Sequence, residues 1–161
     1  MNEATMLEVI RQFLKHAGAT FREVEHAPTF TSEESAAARG EPLFVGAKAL
    51  LLRTDDTLRL FVLPADEKLN STAVKRELGV KKIRFASREE LWELTGLVPG
   101  SVPPFGEPIL PFELFADTTI GQREDRVAFN AGSLTHSLVM TATAWKAAAN
   151  PRCFRFGQSG G

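Results

Sequence analysis

Cysteine occurs once in this chain and histidine three times, and no apolar run comes near the length of a bilayer. The lone Cys153 cannot close an internal disulfide, so nothing demands an oxidising compartment; near the C-terminus it reads as a small core residue. His16, His26 and His136 lie far apart and no paired-cysteine spacing exists, so no metal site is expected. A spanning helix needs about 18 or more apolar residues in a row. Residues 1–5 lack a basic stretch leading into an apolar one, so no signal peptide is expected either. The expected location is the cytoplasm. The Gly-rich phosphate loop followed by Lys and Ser/Thr, the dinucleotide fingerprint and the Gly-x-Ser-x-Gly elbow are all missing. No cofactor is expected.

Charge of one sign is also lacking. Nineteen Lys and Arg against twenty Asp and Glu leave −1, so no overall field drives the chain onto nucleic acid or membrane. Any polyanion contact must be local. One segment qualifies: from Lys68 to Arg88 there are seven basic residues, Lys75, Lys81 and Lys82 among them, against the single acid Glu77. Such a patch suits a phosphate backbone, or it is a solvated helix face beside a lysine-defended edge strand.

What is present reads as one domain over residues 1–156, followed by a flexible tail over 157–161. Met6, Val9, Ile10, Phe13, Leu14 and Ala17 share one helical face, which Gly18 ends. Residues 20–25 read as extended. Thr31 to Glu34 and Ser87 to Glu90 are capping boxes, each opening a helix that a glycine ends, at Gly40 and Gly96. Another helix follows Asn70 or Ser71 and stops at Gly79. Residues 47–53 and 58–63 read as a hairpin; Leu58, Leu60 and Val62 face one way and Phe61 and Leu63 the other, a strand covered on both sides. Residues 81–85, 109–116, 126–131, 137–140 and 153–156 read as further strands, with a helix over 143–149. Elements so mixed, without strict alternation, predict a mixed α/β fold: a central sheet, curled or closed into a partial barrel, with helices outside.

Lys48 stands inside the apolar run Ala47 to Leu52. Lysine is almost never fully buried unless paired or useful. Either it snorkels out from an exposed face, or it points into a cleft as a fixed positive charge. Gly96 to Gly106 holds three glycines and three prolines in eleven residues, a stiff loop whose backbone can approach a ligand closely. Ser133 and His136 are three apart, a spacing more usual in turns than in a nucleophile–base pair.

Gly46-Ala47-Lys48-Ala49-Leu50, Gly96-Leu97-Val98-Pro99-Gly100 and Phe129-Asn130-Ala131-Gly132, in that order, resemble the YbaK family, free-standing relatives of the editing domain of bacterial prolyl-tRNA synthetases. His26 to Gly40 looks like the family's first motif, and Val102-Pro103-Pro104-Phe105 is closest to the YeaK-like (ProXp-ST) branch. The resemblance covers residues 5–156. It implies a barrel-like mixed sheet and a trans-editing hydrolase, an aminoacyl-tRNA deacylase that cleaves a misattached Ser, Thr or Ala from the terminal adenosine. It implies catalytic roles for Lys48 and for the backbone at Gly100. Substrate contacts are expected from His26, Thr29, Phe30 and Thr31, from Gly96, Pro99 and Ser101, and from Asn130, Gly132, Ser133 and His136. Lys75, Lys81 and Lys82 become candidates for RNA binding. The implied partners are the acceptor end of a mischarged tRNA and an aminoacyl-tRNA synthetase. The residues alone leave open a non-catalytic tRNA- or protein-binding module, or a hydrolase of free amino-acid esters.

Overall fold

The computed structural model describes residues 3–160. Four of its five α-helices open on a capping side chain and close on a left-handed residue. Helix α1 (Glu3–His16) buries Met6, Leu7, Ile10 and Leu14. Leu7 widens the expected stripe, and Ala17, past the helix end, is exposed. Helix α2 (Ser32–Arg39) has its capping box: Thr31 Oγ1 accepts from the Glu34 amide at 3.1 Å and the Glu34 carboxylate accepts from the Thr31 amide at 3.2 Å. It ends at Gly40, whose φ of 71° suits a residue without Cβ. Helix α3 (Ser71–Leu78) is capped by Asn70, α4 (Arg88–Thr95) by the Ser87–Glu90 box and α5 (Ala142–Ala149) by Thr141.

The strands are β1 (Arg22–Glu25), β2 (Ala47–Thr54), β3 (Thr57–Pro64), β4 (Glu67–Leu69), β5 (Ile83–Phe85), β6 (Leu114–Asp117), β7 (Val127–Asn130), β8 (His136–Met140), β9 (Arg152–Phe154) and β10 (Gly157–Ser159). They form three sheets, ordered β5-β2-β3-β6-β9, β1-β8-β7 and β4-β10. The largest is mixed: β2 pairs antiparallel with β3 and β5, while β3–β6 and β6–β9 run parallel. Among the described residues no sheet closes into a barrel. Strand β3 is covered on both faces as its alternation predicts. Leu58, Leu60 and Val62 join the main core with α1, while Phe61 and Leu63 pack with Leu52, Val74, Phe115 and Phe156.

Three expectations need correction. Regular strand starts at Leu114 rather than residue 109, because the Ile109 and Leu110 amides both donate to the Gly106 carbonyl and turn the chain. Cys153 is exposed, since β9 is the edge strand of its sheet. Residues 157–159 are a strand, not a loose tail: they pair with Glu67–Leu69, and the fully buried Asp117 accepts from the Phe156 and Gly157 amides at 2.8 and 2.5 Å. Gly161 lies outside the described residues. No helix of the described residues is long and apolar enough to cross a membrane.

Candidate functional site

A cavity of about 210 Å³ opens where α2, the start of β2 and the end of β7 meet. A parallel bridge between Gly46 and Ala128 joins the two sheets. Two residues further along each strand, Lys48 and Asn130 therefore stand abreast on the cavity wall. Thr29, Phe30, Thr31, Ser32, Ser35 and Arg39 line it from the α2 side, Ala65 and residues 46–50 from the hairpin, and Gly100 and Val102 from the loop. At Gly46 there is little room for a side chain: a Cβ there would meet Ala65 Cβ at 3.1 Å, the Leu43 carbonyl at 3.2 Å and Arg39 Nη1 at 3.4 Å.

Two cations enter this space, and among the described residues no carboxylate, imidazole or thiol lines it. Lys48 is half-buried, and among the described residues no carboxylate lies within 4.0 Å of its ammonium. Burial lowers its pKa, against the opposing pull of Asp66, Glu33 and Glu67. Asp66 and Glu67 are themselves engaged by Arg123 and Arg155, each at 2.7 Å. Arg39 is buried, and burial pushes its guanidinium down to about 10, with Glu41 acting the other way. Its partners are neutral: Nε donates to Ser137 Oγ at 2.9 Å and Nη2 to Asn130 Oδ1 at 3.1 Å. Asn130 Nδ2 donates to the Gly100 carbonyl at 2.6 Å. Thr29 and Ser35, both buried, share a hydrogen bond of 2.8 Å in the wall. Uncompensated positive charge in a polar recess with no competing anion is suited to receive negative charge.

The structure brings together six of the expected residues, Lys48, Gly100, Thr29, Phe30, Thr31 and Asn130. The others stand apart from the cavity. His26 reaches the back of the network, with Nε2 at 2.9 Å from Ser137 Oγ. Ser133 lies in the turn before β8 and His136 opens that strand; Thr135 Oγ1 lies 2.9 Å from His136 Nδ1, and Ser133 Oγ is 3.5 Å from that nitrogen. Gly132 packs under α1; a Cβ there would lie 2.2 Å from Met6 Cγ. In the 96–101 loop only Gly100 lines the cavity. Ser101 is buried and clasps the turn, its hydroxyl donating to the Val98 carbonyl at 2.8 Å. Gly96 and Ser101 border a groove on the loop's other side, with Trp92 and Leu110, while Pro99 is exposed at the tip. Beyond the loop, Trp145 Nε1 donates to the Pro104 carbonyl at 3.0 Å, and Phe105 meets Phe13 and Phe129 edge to face. Lys75, Lys81 and Lys82 surround a shallow depression with Arg53 and Arg84. It lies at the other end of β2, where Thr54 pairs with Ile83, about 20 Å along the strand from Lys48 at ~3.3 Å per residue. Arg39 and Ser137 were absent from the expected site. The one sequence signal for Arg39 is its place in the first motif, directly before Gly40.

The family model described as the aminoacyl-tRNA editing domain matches residues 26–147. The chain belongs to the aminoacyl-tRNA editing domain family. This editing domain is 34% identical over 148 residues to the Escherichia coli K12 protein named multifunctional Ser/Thr-tRNA deacylase ProXp-y, covering 89% of this chain and 87% of that protein. It is 37% identical over 109 residues to the proline–tRNA ligase of Shouchella clausii, covering 68% of this chain and 19% of the ligase. A crystal structure of a hypothetical protein, 27% identical, superposes with a TM-score of 0.81 over 92% of this chain and 99% of that one. A candidate trans-editing enzyme for prolyl tRNA synthetase, 23% identical, shares the fold with a TM-score of 0.82 over 96% and 98% of the two chains. Among the described residues no cluster of three His, Cys, Asp or Glu side chains could hold a metal ion.

Proposed function

We propose that this editing domain hydrolyses, in trans, the ester that joins serine or threonine to the terminal adenosine of a mischarged tRNA. The observation that carries the reading is the cavity itself. Among the described residues it is lined by two cations, neither with a carboxylate within 4.0 Å, and by no carboxylate, imidazole or thiol, within a chain similar along most of its length to a Ser/Thr-tRNA deacylase. Water adds to the ester carbonyl carbon, and the carbonyl oxygen becomes an oxyanion. Lys48, fixed on a strand, stabilises that charge or the neighbouring phosphate. The bond from carbon to ribose oxygen then breaks, the ribose oxygen takes up a proton, and the free amino acid leaves. The resemblance to the YbaK family implies that a ribose hydroxyl of the substrate helps to activate the water.

A recess of about 210 Å³ takes the aminoacyl group rather than a whole nucleotide. Phe30, 74% exposed at the mouth, offers a ring on which the terminal base can stack. We read the basic cluster, about 20 Å along β2 from Lys48, as a contact for the acceptor stem, and an aminoacyl-tRNA synthetase as a further partner.

A deacylation panel tests this. tRNA charged with Ser, Thr, Ala, Cys or Pro is incubated with the protein and residual ester is followed. Selective loss of the Ser and Thr esters is the expected result. No turnover on any of the five by folded protein would leave only a binding module.

A further inference from the structure

Arg39 connects parts of the site that the sequence holds far apart. From the last turn of α2 it reaches Asn130 at the end of β7 and Ser137 in β8, 91 and 98 residues away. Ser137 Oγ donates to the same Asn130 Oδ1 at 3.1 Å. With that oxygen accepting two donors, the amide is held one way round, and Nδ2 is turned to the Gly100 carbonyl. A flipped amide would set Nδ2 against the Arg39 and Ser137 donors and Oδ1 against the carbonyl oxygen. Ser101 clasps the turn from within, and at Gly100, φ +88°, the Asn130 side chain ties it to β7 where it faces the cavity. Two directed donors from one planar group are what a guanidinium has and an ammonium lacks. A buried cation without a carboxylate partner is also a costly way merely to fill space.

We propose that Arg39 is a positioning residue of the deacylation: through Asn130 it fixes the Gly100 turn in register with Lys48 on the adjoining wall. The proposal rests on the deacylase reading above. Its expected size follows from geometry, since misplacing a reacting group by about 1 Å can slow a reaction on the order of 100-fold.

The test is a cycle on the full chain: Arg39→Gln, Asn130→Ala and the double variant, each assayed for steady-state hydrolysis of Ser-tRNA. Each single change is expected to lower kcat about 10- to 100-fold with KM within about threefold. The double variant is expected to be no slower than the slower single one, because both break one link. Arg39→Lys, which keeps the charge but loses the fork, is expected to behave like Arg39→Gln; should the Gln variant not fold, the Lys variant replaces it in the cycle. Multiplying effects, a raised KM with unchanged kcat, or a wild-type rate for Arg39→Lys would each overturn the proposal. Asn130→Asp is a further check: it can still accept from Arg39 but cannot donate to Gly100, so it is expected to match Asn130→Ala. An inactive wild type would overturn the deacylase reading and the proposal together. An active wild type with an unimpaired Arg39→Gln variant would overturn the positioning role alone.

Discussion

Replacing Lys48 by methionine is expected to move activity and stability in opposite directions. The ammonium sits half-buried at the start of β2, and among the described residues no carboxylate lies within 4.0 Å of it. Asp66 and Glu67, which favour its charge from a distance, already hold Arg123 and Arg155. Met is similar in length and leaves the apolar stem contacts in place, so folding loses little and sheds the desolvation of a charge. A gain on the order of 1 kcal/mol is reasonable for such a change, which raises Tm by about 2–4 °C in a chain of this size. The pH dependence has a definite sign. Burial lowers the Lys48 pKa below its ordinary 10.5, so the folded chain gives up this proton more readily than the unfolded chain. The charge therefore opposes folding at neutral pH. That opposition fades as pH rises through the interval between the folded value and 10.5. The advantage of Lys48→Met is expected to be full at pH 7 and to shrink towards pH 10. Activity goes the other way: losing one preorganised electrostatic group costs about 10²–10³ in kcat, or about 2.7–4 kcal/mol. Thermal melts at pH 7 and 10, with single-turnover deacylation at pH 7, measure both arms. A Met variant within threefold of wild-type rate would refute the role of the charge. A Tm lowered by more than about 2 °C at pH 7 would refute the absence of a stabilising partner.

Asp117→Asn is expected to destabilise the fold by about 3–5 kcal/mol, seen as a lower urea midpoint, because a fully buried carboxylate loses acceptors for Thr119, Arg155, Phe156 and Gly157. Burial, the largest influence, raises the Asp117 carboxyl pKa, but the hydrogen bonds outweigh it and leave it below 3.8. Its stabilisation is thus present above pH 3.8 and lost as pH falls through the folded value, so acid melts of wild type and variant are expected to converge. Charge reversal of Lys75, Lys81 and Lys82 is expected to weaken tRNA affinity and to make its log–log salt dependence shallower, by about one for each phosphate that is no longer neutralised; an unchanged slope in filter binding would remove this patch from the interface. Gly132→Ala is expected to cost about 2–3 kcal/mol by denaturant titration, since its Cβ would strike Met6 at 2.2 Å from a backbone with φ of +76°. A smaller loss would mean that α1 shifts freely.

The features legible in the sequence are those whose causes lie within a few residues. The Thr31 and Ser87 capping boxes, the glycine stops and the two-faced β3 depend on neighbours at fixed short spacings, and all stand in the structure as read. Features that failed depend on partners far along the chain. Cys153 reads as a small core residue by its type, but nothing local says that its strand lies at the sheet edge. The last strand looked like a loose tail because its support comes from Glu67–Leu69 and from Asp117, 40 or more residues earlier. The site divides in the same way. Lys48 drew attention because a charge inside an apolar run is anomalous wherever it occurs. The family resemblance pointed to Ser133 and His136, yet the turn between β7 and β8 holds Ser133, and His136 at the start of β8, apart from the cavity that Asn130 lines. Arg39 gave the opposite error. An arginine in the last turn of a helix is the ordinary complement of the helix dipole and is usually solvated, so its local context argues against interest. The reason it turns inward lies far along the chain: the Gly46–Ala128 bridge sets the start of β2 beside β7, and Arg39 bonds Asn130 and Ser137, 91 and 98 residues away. A cation buried without a carboxylate is thus invisible to local reading, and it is the observation from which the positioning role was inferred.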